Sequence, residues 1–363
     1  MPTDPIHIIG AGPVGLLLAC LLGQQGRQVF LYEKRREFPA ASMAIGITPP
    51  SLEILHHLGL RQTFLARGVS IPAAQVFEDL TPVGALHFRS SETQILSLPQ
   101  FGTVSLLREK LADFPTVHFR EGREIHPQDL NALPGWQIAC DGWRSRLREA
   151  AGIPLRHKSY GVHFVMADFE DEEDLGPEAR LYFSRSGAVE SFPLPGRRRR
   201  WIAQVVPPAE PALNTLFERV SQAAGIDLSR RLQTGPLCPF SPAWSLAATY
   251  VRDRLLLCGD AAHTMSPIGG QGMNTGFADA WMLAKVLQDP APARLTAYTR
   301  ERQRAFRTAA RRVALGMHLG TRTGTAASRL RAHLLRAALH HPGFSATLAR
   351  TFAMRNLPHP LQS

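Results

Sequence analysis

A run of closely spaced glycines after a short apolar segment is the feature that most constrains the fold. Residues 6–9 read IHII, which predicts a buried β-strand, and residues 10–15 read GAGPVG. In the pattern G-x-G-x-x-G, Gly10 permits a tight turn out of the strand, Gly12 lets a pyrophosphate approach the backbone, and Gly15 lets the next helix pack closely on the sheet. These residues predict the strand–turn–helix unit of a dinucleotide-binding domain.

The residues after the glycines complete this unit. The segment VGLLLACLLGQQG is apolar nearly all round, as expected of a helix enclosed by protein, and Gly26 is a stop signal. The strand VFLY follows and ends at Glu33, a little more than ~20 residues past the glycines. Because a carboxylate there can accept both hydroxyl hydrogens of an adenosine ribose, we predict that an adenine dinucleotide binds.

The same apolar run could belong to a secretory segment, but its charges are wrong for one. Only Asp4 is charged before it, where a signal peptide has a positive region, and the first basic residue is Arg27. Four scattered cysteines without a C-x-x-C pair indicate buried thiols in a reducing compartment, so we expect a cytoplasmic protein. The histidine pairs at 56–57 and 340–341 point to different sides of a helix, and no metal site is predicted.

A second glycine-rich segment lies between residues 254 and 287. The apolar strand LLLC leads to Gly259 and Asp260, and glycines follow at positions 269, 270, 272 and 276 before another helix. Asp260, at the end of a strand, can bind sugar-like hydroxyls, and backbone N–H groups at a glycine-rich helix start can face an anionic or electron-rich group. A plain loop with an amphipathic helix would not account for so many glycines beside one aspartate.

With this segment, the chain resembles a known family. The pattern GDAAH…P…GQGMN…DA…L and the segment DGWRSRLR at 141–148 are similar to motifs of the FAD-dependent aromatic hydroxylases, the group A flavoprotein monooxygenases of the p-hydroxybenzoate hydroxylase type. AIGITPPSLEILHHLGL at 44–60 and LTAYTRERQ at 295–303 resemble further stretches of that family. The motifs stand in the family's order, and the resemblance spans residues 6–303.

The resemblance implies FAD as the cofactor and NADPH or NADH as the reductant. Glu33 would hold the adenosine ribose, and Asp260 the ribityl and pyrophosphate portion. Residues 269–274 would lie along the isoalloxazine ring, with Pro267 near its reacting face. The cofactor contacts implied in this way come from Gly10, Gly12, Pro13, Val14, Gly15, Glu33, Lys34, Arg108, Asp141, Arg148, Asp260, Gly269, Gly270, Gly272, Met273 and Asn274.

The expected fold class is α/β, with a Rossmann-like FAD-binding lobe built on a parallel sheet, a substrate lobe with an antiparallel sheet, and a C-terminal helical tail. The FAD-binding lobe is assigned to 1–70, 100–158 and 240–310, the substrate lobe to 71–99 and 159–239, and the tail to 311–363. Alternation in segments such as GVHFVMADFE and RWIAQVVP predicts the antiparallel strands. Two charge runs predict a solvated loop at 170–178 and an exposed hairpin turn at 196–200.

The resemblance also implies a reaction. NAD(P)H would reduce FAD, the reduced flavin would capture O2 as a flavin hydroperoxide, and its distal oxygen would hydroxylate an aromatic or other electron-rich small molecule. Pro267 and His163 are assigned to catalysis, and His87, Tyr160 and Tyr182 are further candidates for activating a phenol. Two alternatives stay open: a flavin-dependent reductase or dehydrogenase acting on lipid or polyene double bonds, and a flavoprotein-fold binding protein without turnover.

The net charge of +11 comes from the C-terminal part of the chain. Residues 288–363 contain 13 Arg against only Asp289 and Glu301. Neither a nucleic-acid-binding motif nor aromatic residues interleaved with the arginines accompany this charge, so we do not expect nucleic acid as a partner.

Within this tail, the segment AASRLRAHLLRAALHH predicts an amphipathic helix. Its expected apolar face consists of Leu330, Leu334, Leu335 and Ala338, with Arg331 and His333 off that face. Either the apolar face packs on the flavin lobe, or the tail contacts an acidic protein or an anionic membrane surface.

Overall fold

The computed structural model describes residues 4–37, 43–172, 174–206, 209–267 and 269–357. The strands are β1 Ile6–Ile9, β2 Val29–Glu33, β3 Gly46–Ile47, β4 Val69–Ile71, β5 Ala73–Glu78, β6 Thr81–His87, β7 Ile95–Ser97, β8 Val117–Glu121, β9 Trp136–Ala139, β10 Leu155–Ser159, β11 His163–Glu170, β12 Ala179–Ser184, β13 Gly187–Leu194, β14 Arg198–Val205, β15 Cys238–Phe240, β16 Ala243–Ala247, β17 Val251–Arg252, β18 Leu255–Leu257 and β19 His263–Thr264. The helices are α1 Pro13–Gln24, α2 Pro49–His57, α3 Arg61–Arg67, α4 Gln100–Leu111, α5 Arg146–Ala150, α6 Leu213–Ala224, α7 Gln271–Val286, α8 Pro292–Gly320, α9 Thr325–His340 and α10 Pro342–Phe352.

The first sheet carries the glycine segments at one edge. Its order is β17-β18-β9-β1-β2-β8, and its neighbouring strands run parallel except in the β17–β18 hairpin. All four residues of β1 are buried, as expected of a central strand in a parallel sheet that is covered on both faces. The carboxyl ends of β1, β2, β9 and β18 meet at the same edge. The predicted strand–turn–helix–strand unit is confirmed.

The second sheet is the predicted antiparallel one. Its order is β15-β11-β14-β13-β12-β5-β6, and only the β5–β12 pair runs parallel. Helix α6 covers one face, where Leu216 and Val220 pack with Val165, Val189 and Ala203. We call this the outer face.

The opposite side of this sheet, the inner face, turns toward the first sheet and the C-terminal helices. Because side chains alternate along a strand, the neighbours of the outer-face residues belong to it. Two of them, Phe164 and Ile202, pack with the core of the parallel-sheet lobe. The inner face therefore lies against the lobe that carries the glycine segments.

The prediction of an exposed hairpin turn at 196–200 is right for residues 196 and 197, which are exposed in the turn between β13 and β14, but wrong for the arginines that follow in β14. Arg199 and Arg200 lie in β14 and are almost completely buried. Arg199 donates to Asp171 over 2.8 Å and also to the Gly176 carbonyl, and Arg200 pairs with Asp168 over 2.7 Å. Burial is tolerated because each guanidinium meets a carboxylate. One partner, Asp171, belongs to the acidic stretch 170–178 that we had expected to be only solvated, and Glu173 of that stretch lies outside the described residues.

The tail helix α9 is buried on a different side from the predicted one. Leu330 and Leu334 are 59% and 49% exposed, whereas Arg331 is buried. Arg331 reaches the Glu78 carboxylate of β5 over 2.6 Å, and Ser328 donates to the same carboxylate. The helix packs on the antiparallel sheet rather than on the flavin lobe, through Leu339 and the predicted Leu335, which join an apolar cluster of β5 and β6.

The long helix α8 joins the two sheets. It begins beside the parallel sheet, crosses the predicted domain limit at residue 310 without a break and ends at Gly320. The predicted domain limits stay a prediction. In the described part of the chain, no helix combines the length and the apolar character that crossing a membrane requires.

Candidate functional site

The first glycine segment forms the turn between β1 and α1. Gly10 has φ +108°, and a Cβ there would lie 2.3 Å from the Cys140 carbonyl oxygen. A Cβ on Gly15 would lie 2.0 Å from the Gly10 carbonyl oxygen. A Cβ on Gly12, in contrast, would meet no protein atom within 4 Å. The protein's own packing thus requires Gly10 and Gly15, while the space at Gly12 is open to a ligand.

Helix α1 begins at this turn without a capping side chain. Gly12 is its N-cap residue and makes no side-chain cap, and Pro13 occupies the first turn, where its missing N–H is not needed. The free backbone N–H groups and the helix dipole favour an anion at this end. Val14 packs against Gly259 and Gly276, where an added Cβ would come within 3.1 and 2.6 Å of its methyl groups. The two glycine segments are therefore adjacent in the fold.

Glu33 ends β2 at the same edge of the sheet. Its Oε2 accepts a hydrogen bond from the Ala11 N–H at 3.0 Å, and its Oε1 accepts one from the Arg35 N–H at 3.0 Å. A carboxylate oxygen has a second lone pair, so both oxygens can still accept ribose hydroxyls. Lys34, the next residue, is exposed to solvent.

Arg108 lies in helix α4, and its side chain reaches β8, the strand that pairs with the strand of Glu33. Its guanidinium pairs with Glu121 over 2.6 Å and sits over the Phe119 ring. Glu121 is the register partner of Glu33 across β2 and β8. The structure thus places Arg108 on the side of Glu33 rather than beside the second glycine segment.

Asp141 and Arg148 lie in the loop and short helix after β9. Asp141 Oδ2 accepts a hydrogen bond from the Leu147 N–H at 3.4 Å, while its buried Oδ1 has no partner in the described residues. Burial raises the pKa of Asp141 despite the hydrogen bonds that oppose it. Arg148 donates to the carbonyls of Trp143 and Ala261, at 3.3 and 3.1 Å. Arg148 therefore ties this loop to the Gly259–Ala261 turn, and Asp141 keeps an open acceptor.

Asp260 stands after β18 and lines a cleft. Its side chain is exposed to solvent, yet the protein surrounds it closely enough that burial raises its pKa. A carboxylate on the wall of a deep cleft can be open to solvent and still be surrounded by enough protein to have a raised pKa. His263 lowers the pKa of Asp260 and Asp279 raises it, to smaller extents.

The second glycine segment is held in place by Asn274. Gly269 and Gly270 have φ values of +89° and +65° and precede α7. The Asn274 side chain donates to the carbonyls of Gly46 and Gly270, at 2.9 and 2.7 Å, and accepts from the Thr48 N–H at 2.9 Å. Asn274 thus shapes the loop and joins it to β3.

The other residues predicted for this segment surround that loop. Gly272 and Met273 form the first turn of α7, and Met273 is buried in the core. Pro267 is partly exposed, and its carbonyl accepts a hydrogen bond from the Gly270 N–H at 3.0 Å. Residue 268 lies outside the described residues.

The model of the family described as FAD binding domain matches residues 3–313. The chain belongs to this FAD binding domain family. It is 30% identical over 319 residues to rifampicin monooxygenase of Streptomyces venezuelae, a match that covers 79% of this chain and 65% of that protein. It is also 30% identical over 335 residues to the 3-(3-hydroxy-phenyl)propionate/3-hydroxycinnamic acid hydroxylase of Shigella sonnei, covering 82% of this chain and 59% of that protein. The chain spans less than two thirds of these two relatives.

Solved structures share the fold. The p-nitrophenol 4-monooxygenase PnpA from Pseudomonas putida DLL-E4 superposes with a TM-score of 0.85 at 21% identity, over 98% of this chain and 99% of that one. The anhydrotetracycline hydroxylase OxyS from Streptomyces rimosus superposes with a TM-score of 0.76 at 26% identity, over 99% of this chain and 77% of that one. The expected fold class is confirmed.

The residues at the sheet edge fit FAD. The open space at Gly12, the uncapped start of α1 and the free lone pairs of Glu33 are suited to a pyrophosphate and a ribose. The unpartnered Asp141 Oδ1 and the exposed carboxylate of Asp260 are open acceptors facing the same edge. FAD is the cofactor of this family, and its implied contacts here stay predictions residue by residue.

Sequence reasoning missed a buried network beneath the FAD site. Asp279 of α7 accepts from His263 at 2.6 Å, from Arg302 of α8 at 2.6 Å and from the Gly259 N–H at 3.2 Å. Desolvation would raise the pKa of Asp279, but His263 and Arg302 outweigh it and lower the pKa. Asp279 and Arg302 belong to segments that resemble the family, at 254–287 and 295–303. Their spacing in the sequence did not indicate that the two side chains form an ion pair.

His163, which we assigned to catalysis, lies away from this loop. It begins β11, is exposed, and its Nδ1 lies 2.8 Å from Ser241 Oγ. Alternation from Val165 puts it on the outer face of the sheet. Tyr182 also packs in the outer-face cluster. The structure does not bring either residue to the second glycine segment, and a catalytic role for His163 or Pro267 stays a prediction.

Proposed function

We propose that this protein is a FAD-dependent monooxygenase that uses NAD(P)H and O2 to hydroxylate an aromatic or other electron-rich small molecule. One arrangement carries the proposal: the loop shaped by Asn274 is fastened to β3, and β3 pairs with β7, which contacts the antiparallel sheet. A FAD site and the inner face of a second sheet are thereby held against each other. The relatives named above as monooxygenases and hydroxylases support the same chemistry.

The cofactor and the protein would have different roles in this reaction. FAD, when bound, would supply hydride acceptance from NAD(P)H and activation of O2, which is chemistry of the cofactor rather than of side chains. Gly12 and the start of α1 would hold its pyrophosphate, and Glu33 its ribose. Asn274 keeps the loop rigid. Phe164 and Ile202, the apolar residues of the inner face that pack with the FAD lobe, would exclude bulk water from the reaction space.

The decisive experiment follows the oxygen atom. FAD-loaded protein is incubated with NADPH or NADH and with 4-nitrophenol or 3-(3-hydroxyphenyl)propionate under labelled O2. We expect the phenol to accelerate NAD(P)H oxidation and the product to gain one labelled oxygen. A product that lacks the label would favour the reductase.

A glycine variant tests the FAD site itself. Gly12→Val should purify without FAD, because its side chain would occupy the space that the pyrophosphate needs. Gly316→Val is the matched control, since Gly316 also has no neighbour within 4 Å but lies in α8, away from this site. Normal FAD content in Gly12→Val would rule out the assignment of the first glycine segment.

The same proposal includes the location and a partner. All four cysteines are free, which suits the reducing cytoplasm. The side of α9 that faces away from the sheet exposes Leu330 and Leu334, and Arg329 and Arg336 are exposed on the same helix. Exposed leucines and arginines on one helix could bind an acidic protein or an anionic membrane surface that delivers the substrate.

A further inference from the structure

Glu190 occupies the middle of the inner face of the antiparallel sheet. It lies in β13, and its partners across the sheet are Ile202 of β14 and Leu181 of β12. Directly opposed residues have Cβ atoms about 4.5–5.5 Å apart, so an aliphatic side chain flanks the carboxylate on each side. Met166 of β11 continues the same row beyond Ile202. The carboxylate is therefore set in an apolar row.

No partner compensates this carboxylate. Only 6% of Glu190 is exposed, and within the described ranges of the chain no hydrogen bond or ion pair reaches its oxygens. Burial, acting alone, raises its pKa to about 7. An unpaired buried acid opposes folding at neutral pH, and such groups concentrate at functional sites.

The strand of Glu190 is connected to the second glycine segment through short contacts. The Pro193 carbonyl of β13 accepts a hydrogen bond from Ser97 of β7 at 2.6 Å. Ser97 is the register partner of Gly46 in β3, and the Gly46 carbonyl accepts from Asn274. The next inner-face residue across the sheet, Ile202, packs with the core of the FAD lobe. Glu190 therefore belongs to the side of the sheet that meets the FAD loop.

Two carboxylates on this face have buried arginine partners. Asp168 is paired with Arg200 over 2.7 Å on β11 and β14, and Glu78 is paired with Arg331 of α9 over 2.6 Å. None of these charges contributes to the pKa shift of Glu190. Of the neighbouring elements, β7 contributes the hydroxyl of Ser97, and the end of α8 contributes the carbonyl of Thr321, which accepts from Gln204.

We propose that Glu190 is the acid/base residue that takes the proton from an acidic hydroxyl of the bound substrate, a phenol or an enol. The substrate O–H bond breaks, both of its electrons stay on the oxygen, and the proton goes to a carboxylate oxygen of Glu190. The negative charge spreads onto the ring carbons and makes them better nucleophiles. The proton leaves for water when the product departs. This inference rests on the proposed function.

The chemistry of the carboxyl suits this task. A phenol has a pKa of about 10 and an ordinary glutamate one of about 4.3, which is a poor match for proton transfer. The apolar row around Glu190 narrows this gap by raising its pKa to about 7. It would then be ionised at the upper end of the physiological range and still be a usable base.

A first measurement does not depend on turnover. Infrared difference spectra of the FAD-loaded protein between pH 6 and pH 8, near the pKa of about 7, should show the carbonyl band of a carboxylic acid that disappears as the pH rises. The band should be missing in Glu190→Gln. Glu218→Gln removes an exposed carboxylate of α6 on the outer face and should retain the band. An identical band in wild type and Glu190→Gln would overturn the proposal.

The second measurement compares two phenols. With 3-(3-hydroxyphenyl)propionate, kcat/KM of wild type and Glu218→Gln should rise with pH through about 7. In Glu190→Gln this rise should vanish and kcat/KM at pH 8 should fall by about 100-fold or more. With 4-nitrophenol, which is acidic enough to bind as the phenolate, the loss should be only a few-fold.

The outcomes separate the two proposals. Equal losses on both phenols, or an unchanged pH profile in Glu190→Gln, would overturn the role of Glu190 while the monooxygenase function stands. A wild-type protein that oxygenates neither phenol would overturn the proposed function, and the role of Glu190 with it.

Discussion

Asp279 in the parallel-sheet lobe and Glu190 in the antiparallel sheet are both buried carboxylates, but burial affects them in opposite ways. Asp279 is fully buried and receives hydrogen bonds from His263, Arg302 and the Gly259 N–H, and its pKa is lowered. Glu190 is 6% exposed, receives none, and has its pKa raised to about 7. Since the depth is nearly equal, the partners decide which protonation state the fold favours.

The difference separates two uses of a buried charge. Asp279 has a lowered pKa, is ionised at neutral pH, and joins β18, α7 and α8 beneath the FAD site. Glu190 changes its charge near neutral pH and makes no hydrogen bond or ion pair within the described chain. The first is suited to holding structure, and the second is suited to exchanging a proton with a ligand.

The largest expected effect is the loss of stability when the hydrogen-bond network around Asp279 is broken. Asp279→Asn keeps the shape of the side chain but leaves Arg302 buried without a counter-charge. Breaking a buried pair in this way costs about 3–5 kcal/mol of unfolding free energy, which urea unfolding at fixed FAD concentration measures.

The control for this variant is an exposed pair. Asp289→Asn removes the partner of Arg294, 3.4 Å away and largely solvated, and should change the stability little. If both variants lost the same small amount, Asp279 would not be a structural charge and the contrast with Glu190 would fail.

The next effect concerns the pH dependence of stability. Glu190 has a folded-state pKa of about 7, above its ordinary value of 4.5, so the folded protein binds the proton more tightly than the unfolded chain. Stability should therefore fall by about 3 kcal/mol as the pH rises from about 4.5 to about 7. Glu190→Gln should remove this loss, matching wild type at pH 4 and exceeding it at pH 8 in urea unfolding.

For Asp279, the pH dependence of stability has the opposite sign to that of Glu190. Because its pKa is lowered, the stability that it contributes is present above its ordinary pKa of 3.8 and is lost in more acidic solution. Equal pH profiles for wild type and Glu190→Gln between pH 4 and pH 8 would show that Glu190 is not titrating in this range.

The smallest effect on stability is expected in the tail. Arg329 and Arg336 are exposed on α9, unlike Arg331, whose guanidinium meets Glu78 inside the fold. Arg329→Glu combined with Arg336→Glu should leave the melting temperature and FAD content nearly unchanged. It should reduce co-sedimentation with phosphatidylglycerol vesicles, or turnover of a substrate delivered by an acidic protein, without slowing turnover of a free phenol.

Arg331→Met provides the contrasting variant in the same helix. It leaves Glu78 buried without its cation and should destabilise the protein strongly. If the double Glu variant changed neither delivery nor vesicle binding, α9 would serve only to cover the antiparallel sheet.

The features that were predictable from the sequence are local ones. Gly10 and Gly15 are required by contacts within one strand–turn–helix unit, so their spacing alone indicates the geometry. Glu33 ends a strand whose pairing follows from the same unit. The family motifs placed the second glycine segment correctly beside the first, as the contact of Val14 with Gly276 shows.

The errors concern charges whose partners are distant in sequence. Arg199 and Arg331 belong to charge-rich segments that are typical of solvated surface, but Asp171 and Glu78 lie opposite them in the fold. The pairing of Asp279 with Arg302 was missed for the same reason, because the two residues are distant in sequence. Glu190 was overlooked because alternation in AVESFPLP does not show which face of the sheet is buried. Only the strand register and the packing of α6 settle that.

The long helix α8 has a mechanical consequence. At 1.5 Å per residue its 29 residues form a rod about 44 Å long. One end is fastened by Tyr298 to the Leu257 carbonyl and by Arg302 to Asp279, and the other by the Thr321 carbonyl to Gln204. A hinge motion of the two sheets would have to bend this rod or detach one end. The cleft should therefore keep a constant width, and small molecules should enter by movement of its rim.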